Sequence, residues 1–282
     1  MRLYALVVYL FLYIPIGVIV LFSFNAGQSA NQFTGFSVQW YGKALSNRFL
    51  IEAFQTSLIV AFISAVLATV FGTMAALALQ SVKGRARMAF DALIYVTVMV
   101  PGIVIGISTL IALVTAFDWL NTMLAAVWPL GTAPPTLALG RGSLIATHGL
   151  FAMSLVIIIV RARISGMDRT LIEASADLGA TPFGTFRQVT LPQIFPGILA
   201  GFLLAFTFSF DDFIIAFFVA GSQTTLPIYV FSSIRRGVTP EINAIGAVVL
   251  AISLVLLISA QAILQRGRRK TNRNKERQAH AS

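Results

Sequence analysis

EASADLGATPFGTFRQVTLP, residues 173–192, is the most heavily punctuated stretch of a chain that is otherwise built from long apolar blocks. Just upstream, Asp168 or Thr170 can cap a helix. Thr170 with Glu173 has the S/T-x-x-E spacing in which two side chains reciprocally satisfy free amide hydrogens. Gly179 supplies a stop, since glycine enters the left-handed C′ conformation without steric cost, and Thr181 before Pro182 reads as a second N-cap with a first-turn proline. The pattern predicts two short helices joined at Gly179 and Ala180. On the first, Leu171, Ala174, Ser175 and Leu178 fall three and four apart and share one face. That face either docks into a groove of another protein or packs under the rest of this chain, and local spacing alone leaves both open.

Outward from this loop the sequence is membrane-like. The 282 residues are 57% hydrophobic and 11% charged, which places the chain with all-α polytopic membrane proteins rather than soluble domains. Windows of about 19 apolar residues mark six transmembrane helices, at 3–24, 57–80, 89–117, 144–160, 197–219 and 242–264. The first follows Arg2 but exceeds the apolar core of a signal peptide and lacks a clear small-x-small cleavage site, so it reads as a retained helix. With no cysteine, disulfides, thiolate metal sites and cysteine nucleophiles are excluded. The plan is one transmembrane domain over 1–265, carrying the loop at 161–195, and a basic tail at 266–282.

Basic residues set the orientation. Placing both termini in the cytoplasm puts most of the 20 Lys and Arg there, including Lys83, Arg85, Arg87, Arg161, Arg163 and the tail RGRRKTNRNKER, and leaves Lys43, Arg48, Arg141, Arg235 and Arg236 outside, as the positive-inside rule requires. The net charge of +10 is then mainly a topology signal. The tail reads as a solvated stop-transfer segment rather than a nucleic-acid or anionic-lipid patch, so that the expected partners include membrane lipid around the spans and no nucleic acid. Outside the bilayer, residues 25–56 read as partly helical interfacial chain, and 118–143, with Pro129, Pro134 and Pro135, as irregular surface chain.

The loop itself resembles the cytoplasmic motif of the membrane subunits of bacterial ABC importers: E-A-A, three residues, G, nine residues, I-x-L-P. Glu173, Ala174, Gly179, Leu191 and Pro192 match, while Ser175 and Val189 depart conservatively. The resemblance implies the type I importer permease fold, with this loop as a coupling-helix pair seated on a separate ATPase subunit. Glu173, Ala174, Ser175, Leu178, Gly179, Leu191 and Pro192 would form the coupling site. It also implies a second related permease subunit, a cytoplasmic ATPase dimer and an extracytoplasmic binding protein, in a bacterial inner membrane. The chain contains no G-x-x-x-x-G-K-[ST] phosphate loop, so ATP would be bound by the partner and this subunit would need no cofactor. SFDDFIIAFFVAGSQTTLPIYVFSSIRRGVTPEINAI at 209–245 and QWYGKAL at 39–45 resemble the spermidine/putrescine branch. One departure concerns substrate: those permeases commonly carry an acidic residue where this chain has Gly102.

Asp211 and Asp212 interrupt an apolar run. Counted from Gly197, Asp211 is about 21 Å along a helix, beyond the midplane, where burying an ionised Asp costs up to roughly 2.5–3.5 kcal/mol. No Lys or Arg lies in the spans from Ser57 onward, so the sequence offers no evident membrane-depth partner. Adjacent helical residues diverge by about 100°, so one carboxylate would face the pathway and the other a neighbouring helix. For a cationic solute such as a polyamine, the first would be a desolvated counter-ion. Phe206, Phe208, Phe210 and Phe213 could add cation–π contacts of about 0.5–2 kcal/mol. Trp40 and Tyr41 read either as substrate contacts or as an interfacial aromatic belt. His148, a single membrane-depth histidine, reads as packing, and the pairs Gly102/Gly106 and Gly197/Gly201 as close helix approach. The competing classes are a permease for another amine or amino-acid derivative, an integral-membrane enzyme using Asp211 and Asp212, and a stand-alone channel or ion-coupled carrier.

Overall fold

The computed structural model describes residues 2–29, 32–129, 131–237, 240–255 and 258. Their helices are α1 (Arg2–Ser23), α2 (Gln39–Ser46), α3 (Arg48–Ala78), α4 (Gly84–Met99), α5 (Gly102–Val127), α6 (Arg141–Ser165), α7 (Thr170–Asp177), α8 (Pro182–Thr185), α9 (Leu191–Asp211), α10 (Ile214–Val219) and α11 (Leu226–Arg236), followed by α12 (Pro240–Val255). A π-helical turn, Phe186–Thr190, joins α8 to α9. Among the described residues, five helical stretches are long and apolar enough to cross a membrane: Leu3–Ser23, Arg48–Ala78, Gly102–Val127, Arg141–Ser165 and Pro182–Asp211. The sixth expected span begins as α12. Its end beyond Val255, apart from Ile258, and the basic tail at 266–282 lie outside the described residues.

Two compact units are present, Glu52–Tyr229 and Met1–Ile51 with Val230–Ser282. In the first, α6 is the axis. Its Ala152, Val156, Ile157 and Val160 are buried with Ala65, Ala68 and Ala76 of α3 and Ala205 of α9. Small residues permit this approach: a Cβ added at Gly72 would lie 2.9 Å from the Val156 side chain, one at Gly197 2.7 Å from Arg163 Cβ, and one at Gly201 3.3 Å from Val156. Without a hydrophobic force between helices in lipid, dispersion across such close contacts holds the bundle. A Cβ at Gly106 would lie 2.6 Å from the Phe218 ring, so α5 seats on α10 in the same way. In the second unit, a Cβ at Gly246 would lie 3.4 Å from Ile19, bringing α12 against α1.

Several expected boundaries move. The span predicted over 89–117 is two helices, because Pro101 has no amide hydrogen to donate and the preceding Val100 is extended at ψ 132; the crossing helix is α5, which runs on to Val127 and shortens the loop expected over 118–143. The span predicted over 197–219 ends at Asp211, where Asp212 leaves the helix at ψ 120, and α10 is a separate element. The predicted box between Thr170 and Glu173 does not form. The backbone is already helical at Arg169, so Thr170 is inside the helix, and Asp168 Oδ1 accepts from its amide at 3.0 Å and its hydroxyl at 2.7 Å.

Candidate functional site

Two constellations follow from this scaffold. The first is the pair α7–α8. Leu178 ends α7, and Gly179 follows at φ +76. The Gly179 amide donates to Ala176 O at 2.9 Å and the Ala180 amide to Ser175 O at 3.1 Å, the paired bonds of a Schellman stop. Thr181 then caps α8, its hydroxyl accepting from the Gly184 amide at 3.1 Å with Pro182 at the first position. A direct tie closes the hairpin: the hydroxyls of Ser175 and Thr185 are 2.9 Å apart. Neither helix buries a residue. Leu178 is 88% and Phe183 72% exposed, and Glu173, Ala174 and Pro192 are exposed while Ser175 and Leu191 are partly covered.

The second constellation surrounds the break between α9 and α10. A broken helix at membrane depth frees backbone amides that lipid cannot satisfy. Asp212 meets one of them, its Oδ2 accepting from the Ala216 amide at 2.9 Å. The same oxygen lies 3.6 Å from Nε2 of His148, whose Nδ1 is 2.8 Å from Ser209 Oγ; the His148 side chain is 2% exposed. His148 is thus the membrane-depth neighbour that the sequence did not reveal. It sits seven residues into α6 from Arg141, about 10 Å at the helical rise, which keeps the carboxylates in the Arg141 half of that span. Asp211, by contrast, is exposed, and among the described residues no hydrogen bond or ion pair engages it.

The aromatic residues are mostly occupied by packing. Phe210 is buried, stacked on Phe206 at 5.9 Å and edge-on to Phe54 of α3 at 5.9 Å. Phe208 stacks on Phe151 at 4.5 Å and Phe213 meets Phe217 at 5.5 Å. Trp40 and Tyr41 belong to the other unit and organise the loop between α1 and α2. Trp40 Nε1 donates to Asn25 O at 2.7 Å, the Tyr41 hydroxyl is 2.7 Å from that of Ser23, and Asn25 receives the Thr34 amide at 2.9 Å while donating to Gln32 O at 2.7 Å. A Lys43 ammonium lies 4.1 Å above the Trp40 ring.

Comparison with known proteins places this scaffold in a family. Residues 68–272 match the family of binding-protein-dependent transport system inner membrane components. The chain belongs to this family. The permease is 34% identical to the spermidine/putrescine transport system permease protein PotC of Haemophilus influenzae, over 92% of this chain and 94% of that one. It is 37% identical to the putrescine transport system permease protein PotI of Escherichia coli, over 88% and 85%. In fold it is similar to a chain of a bacterial ABC transporter involved in import of the acidic polysaccharide alginate, at TM-score 0.71 and 18% identity over 94% of both chains. The permease is therefore a multi-pass inner membrane transport subunit of the type I fold and not an enzyme.

Proposed function

We propose that this permease forms half of the translocation pathway for a polyamine, putrescine or spermidine, and that Asp211 is the carboxylate the cation meets. Asp212 accepts from the Ala216 amide, lies 3.6 Å from His148 Nε2 and completes the helix break; Asp211 is exposed beside it. The observation that carries the reading is this division, supported by identity to permeases named for polyamines along most of the chain. A flexible diammonium needs a desolvated negative group in the outer half of the span, where attraction is little screened. Phe210, buried in the α9–α3 seam, shapes the wall and does not touch the solute, and Trp40 and Tyr41 build the outer loop.

The remaining parts follow from the coupling pair. The exposed face of α7–α8, with Glu173, Ala174, Ser175, Leu178 and Gly179 and the start of α9 at Leu191 and Pro192, docks on one protomer of a cytoplasmic ATPase dimer that binds the ATP. A second related permease supplies the other half of the cavity, and an extracytoplasmic binding protein delivers the solute. Both termini lie in the cytoplasm, as the distribution of basic residues supports.

Uptake of radiolabelled putrescine and spermidine into cells carrying the whole transporter tests this. Asp211→Asn should lower uptake at least tenfold while the complex still assembles, and Asp211→Glu should recover part of it. Wild-type uptake in Asp211→Asn would remove the counter-ion role. A wild-type transporter that takes up another amine or an amino-acid derivative in preference would replace the polyamine.

A further inference from the structure

The polar contacts in the first half of α4 tie it to the helix that precedes the coupling loop. Arg161, in the last turns of α6, donates through Nη1 to Asp91 Oδ1. Arg87 lies 3.4 Å from the other oxygen through Nε and donates through Nη1 to Leu79 O at 2.7 Å, at the cytoplasmic end of α3. Three helices are thus joined through one carboxylate. An apolar cavity of about 550 Å³ is lined by α4, α5 and α6, among others by Phe90, Leu93, Ile94, Ile105, Phe151 and Ile157. The far end of α4 is the Val100–Pro101 break. Beyond the break, α5 seats through Gly106 on α10, and α10 is the helix whose amide Asp212 holds.

We propose that Asp91 is a positioning residue for energy coupling: it makes α4 move as one body with the cytoplasmic end of α6, so that a displacement of α7–α8 passes through Val100–Pro101 to α5, α10 and the carboxylates. The inference rests on the reading of α7–α8 as the ATPase-docking pair. The physical requirement is a rigid connection with a joint. The two arginines on one carboxylate supply the connection, and a proline break whose flanking helices pack on different partners supplies the joint. A lever tied only by apolar contacts could slide along α6. Charge-assisted hydrogen bonds in a fixed geometry prevent that.

The test uses the whole transporter in nanodiscs. Because the chain has no cysteine, Met99→Cys on α4 and Ala162→Cys on α6, both exposed, can carry a single pair of spin labels. In the parent the label distance should be the same without nucleotide and after trapping with ATP and vanadate. In Asp91→Asn it should shift or broaden on trapping, and putrescine taken up per ATP hydrolysed should fall at least fivefold. Arg161→Gln should do the same, and the double variant should be no worse than the poorer single. The proposal is overturned if the label distance changes in the parent, if Asp91→Asn matches the parent in both readouts, if the two substitutions multiply, or if neither single variant assembles. A parent that fails to retain the ATPase on purification overturns the docking reading and the inference together, whereas a parent that retains it but takes up no putrescine removes the polyamine alone and leaves the label distances to decide.

Discussion

Nε2 of His148 stands 3.6 Å from Oδ2 of Asp212, while Nδ1 of the same ring is 2.8 Å from Ser209 Oγ. One imidazole thus bonds the last turn of α9 through Nδ1 and lies beside the residue that ends it through Nε2. This environment predicts how loss of each carboxylate differs. Asp212→Ala strips the cap from the Ala216 amide, a loss of about 0.5–2 kcal/mol for a cap alone, and leaves His148 facing apolar chain. The solubilised complex should melt at a lower temperature. Asp211→Ala should melt within error of wild type. His148→Ala combined with Asp212→Ala should cost less than the sum of the two, because the residues are in contact. Equal melting temperatures for Asp211→Ala and Asp212→Ala would contradict the division of roles.

Gly179 predicts an effect confined to coupling. At φ +76 a side chain costs roughly 1–2 kcal/mol, yet nothing lies within 4 Å of an added Cβ. Gly179→Ala should therefore leave the permease in the membrane in normal amount. The strain acts on the Schellman bonds between α7 and Ala180, so uptake and co-purification of the ATPase should fall together. Loss of the permease from the membrane in this variant would show that the stop serves folding instead.

Legibility in the sequence followed the range of the interaction that decides each feature. The turn at Gly179 and the cap at Thr181 are set by one or two residues and their neighbours, and the residues that would do this are visible as letters; the break at Pro101 is as local, yet the apolar run on both sides of it reads as one span. The small-residue pairs Gly197/Gly201 and Gly102/Gly106 announced close packing without naming its partners. The carboxylate site was half legible: SFDDF marked the place, but His148 and Asp212 are 64 positions apart and no spacing relates them. The helix break at Asp212 escaped because the flanking Phe and Ile residues continue the apolar pattern, and a broken and an unbroken span have the same composition. The Thr170–Glu173 box was misread because the spacing is equally compatible with a chain that turns helical one residue earlier.

Ser175 occupies the second alanine of the E-A-A pattern, and its hydroxyl is 2.9 Å from that of Thr185. A neutral hydrogen bond of this kind contributes about 0.5–1.5 kcal/mol, so Ser175→Ala and Thr185→Val should each loosen the hairpin without unfolding it. Hydrogen exchange at the amides of 170–185 should accelerate several-fold in either variant. The amides of α6 and α9 should exchange at the wild-type rate. Unchanged exchange in the hairpin would mean that the two hydroxyls contribute nothing to its rigidity.

Asp91 gives a pH dependence whose sign is fixed by its neighbours. It lies in α4, outside the five crossing helices. The hydrogen bond from Arg161 and the charges of Arg161 and Arg87 hold its carboxyl below the ordinary value of 3.8, against a smaller opposing effect of burial. A group whose acidity is raised by folding contributes stability above its unfolded value and loses it as pH falls through the folded one. Neither arginine titrates in this range. The difference in melting temperature between wild type and Asp91→Asn should accordingly be constant from about pH 5 to 8 and shrink only in stronger acid, below about pH 4. Taking the difference at each pH cancels the other titrating groups, which the two proteins share. The side chains are 20–38% exposed, so the constant difference should be modest and should fall with added salt. A difference that changed between pH 6 and 7 would place another group at the clamp and refute the arginine-held carboxylate.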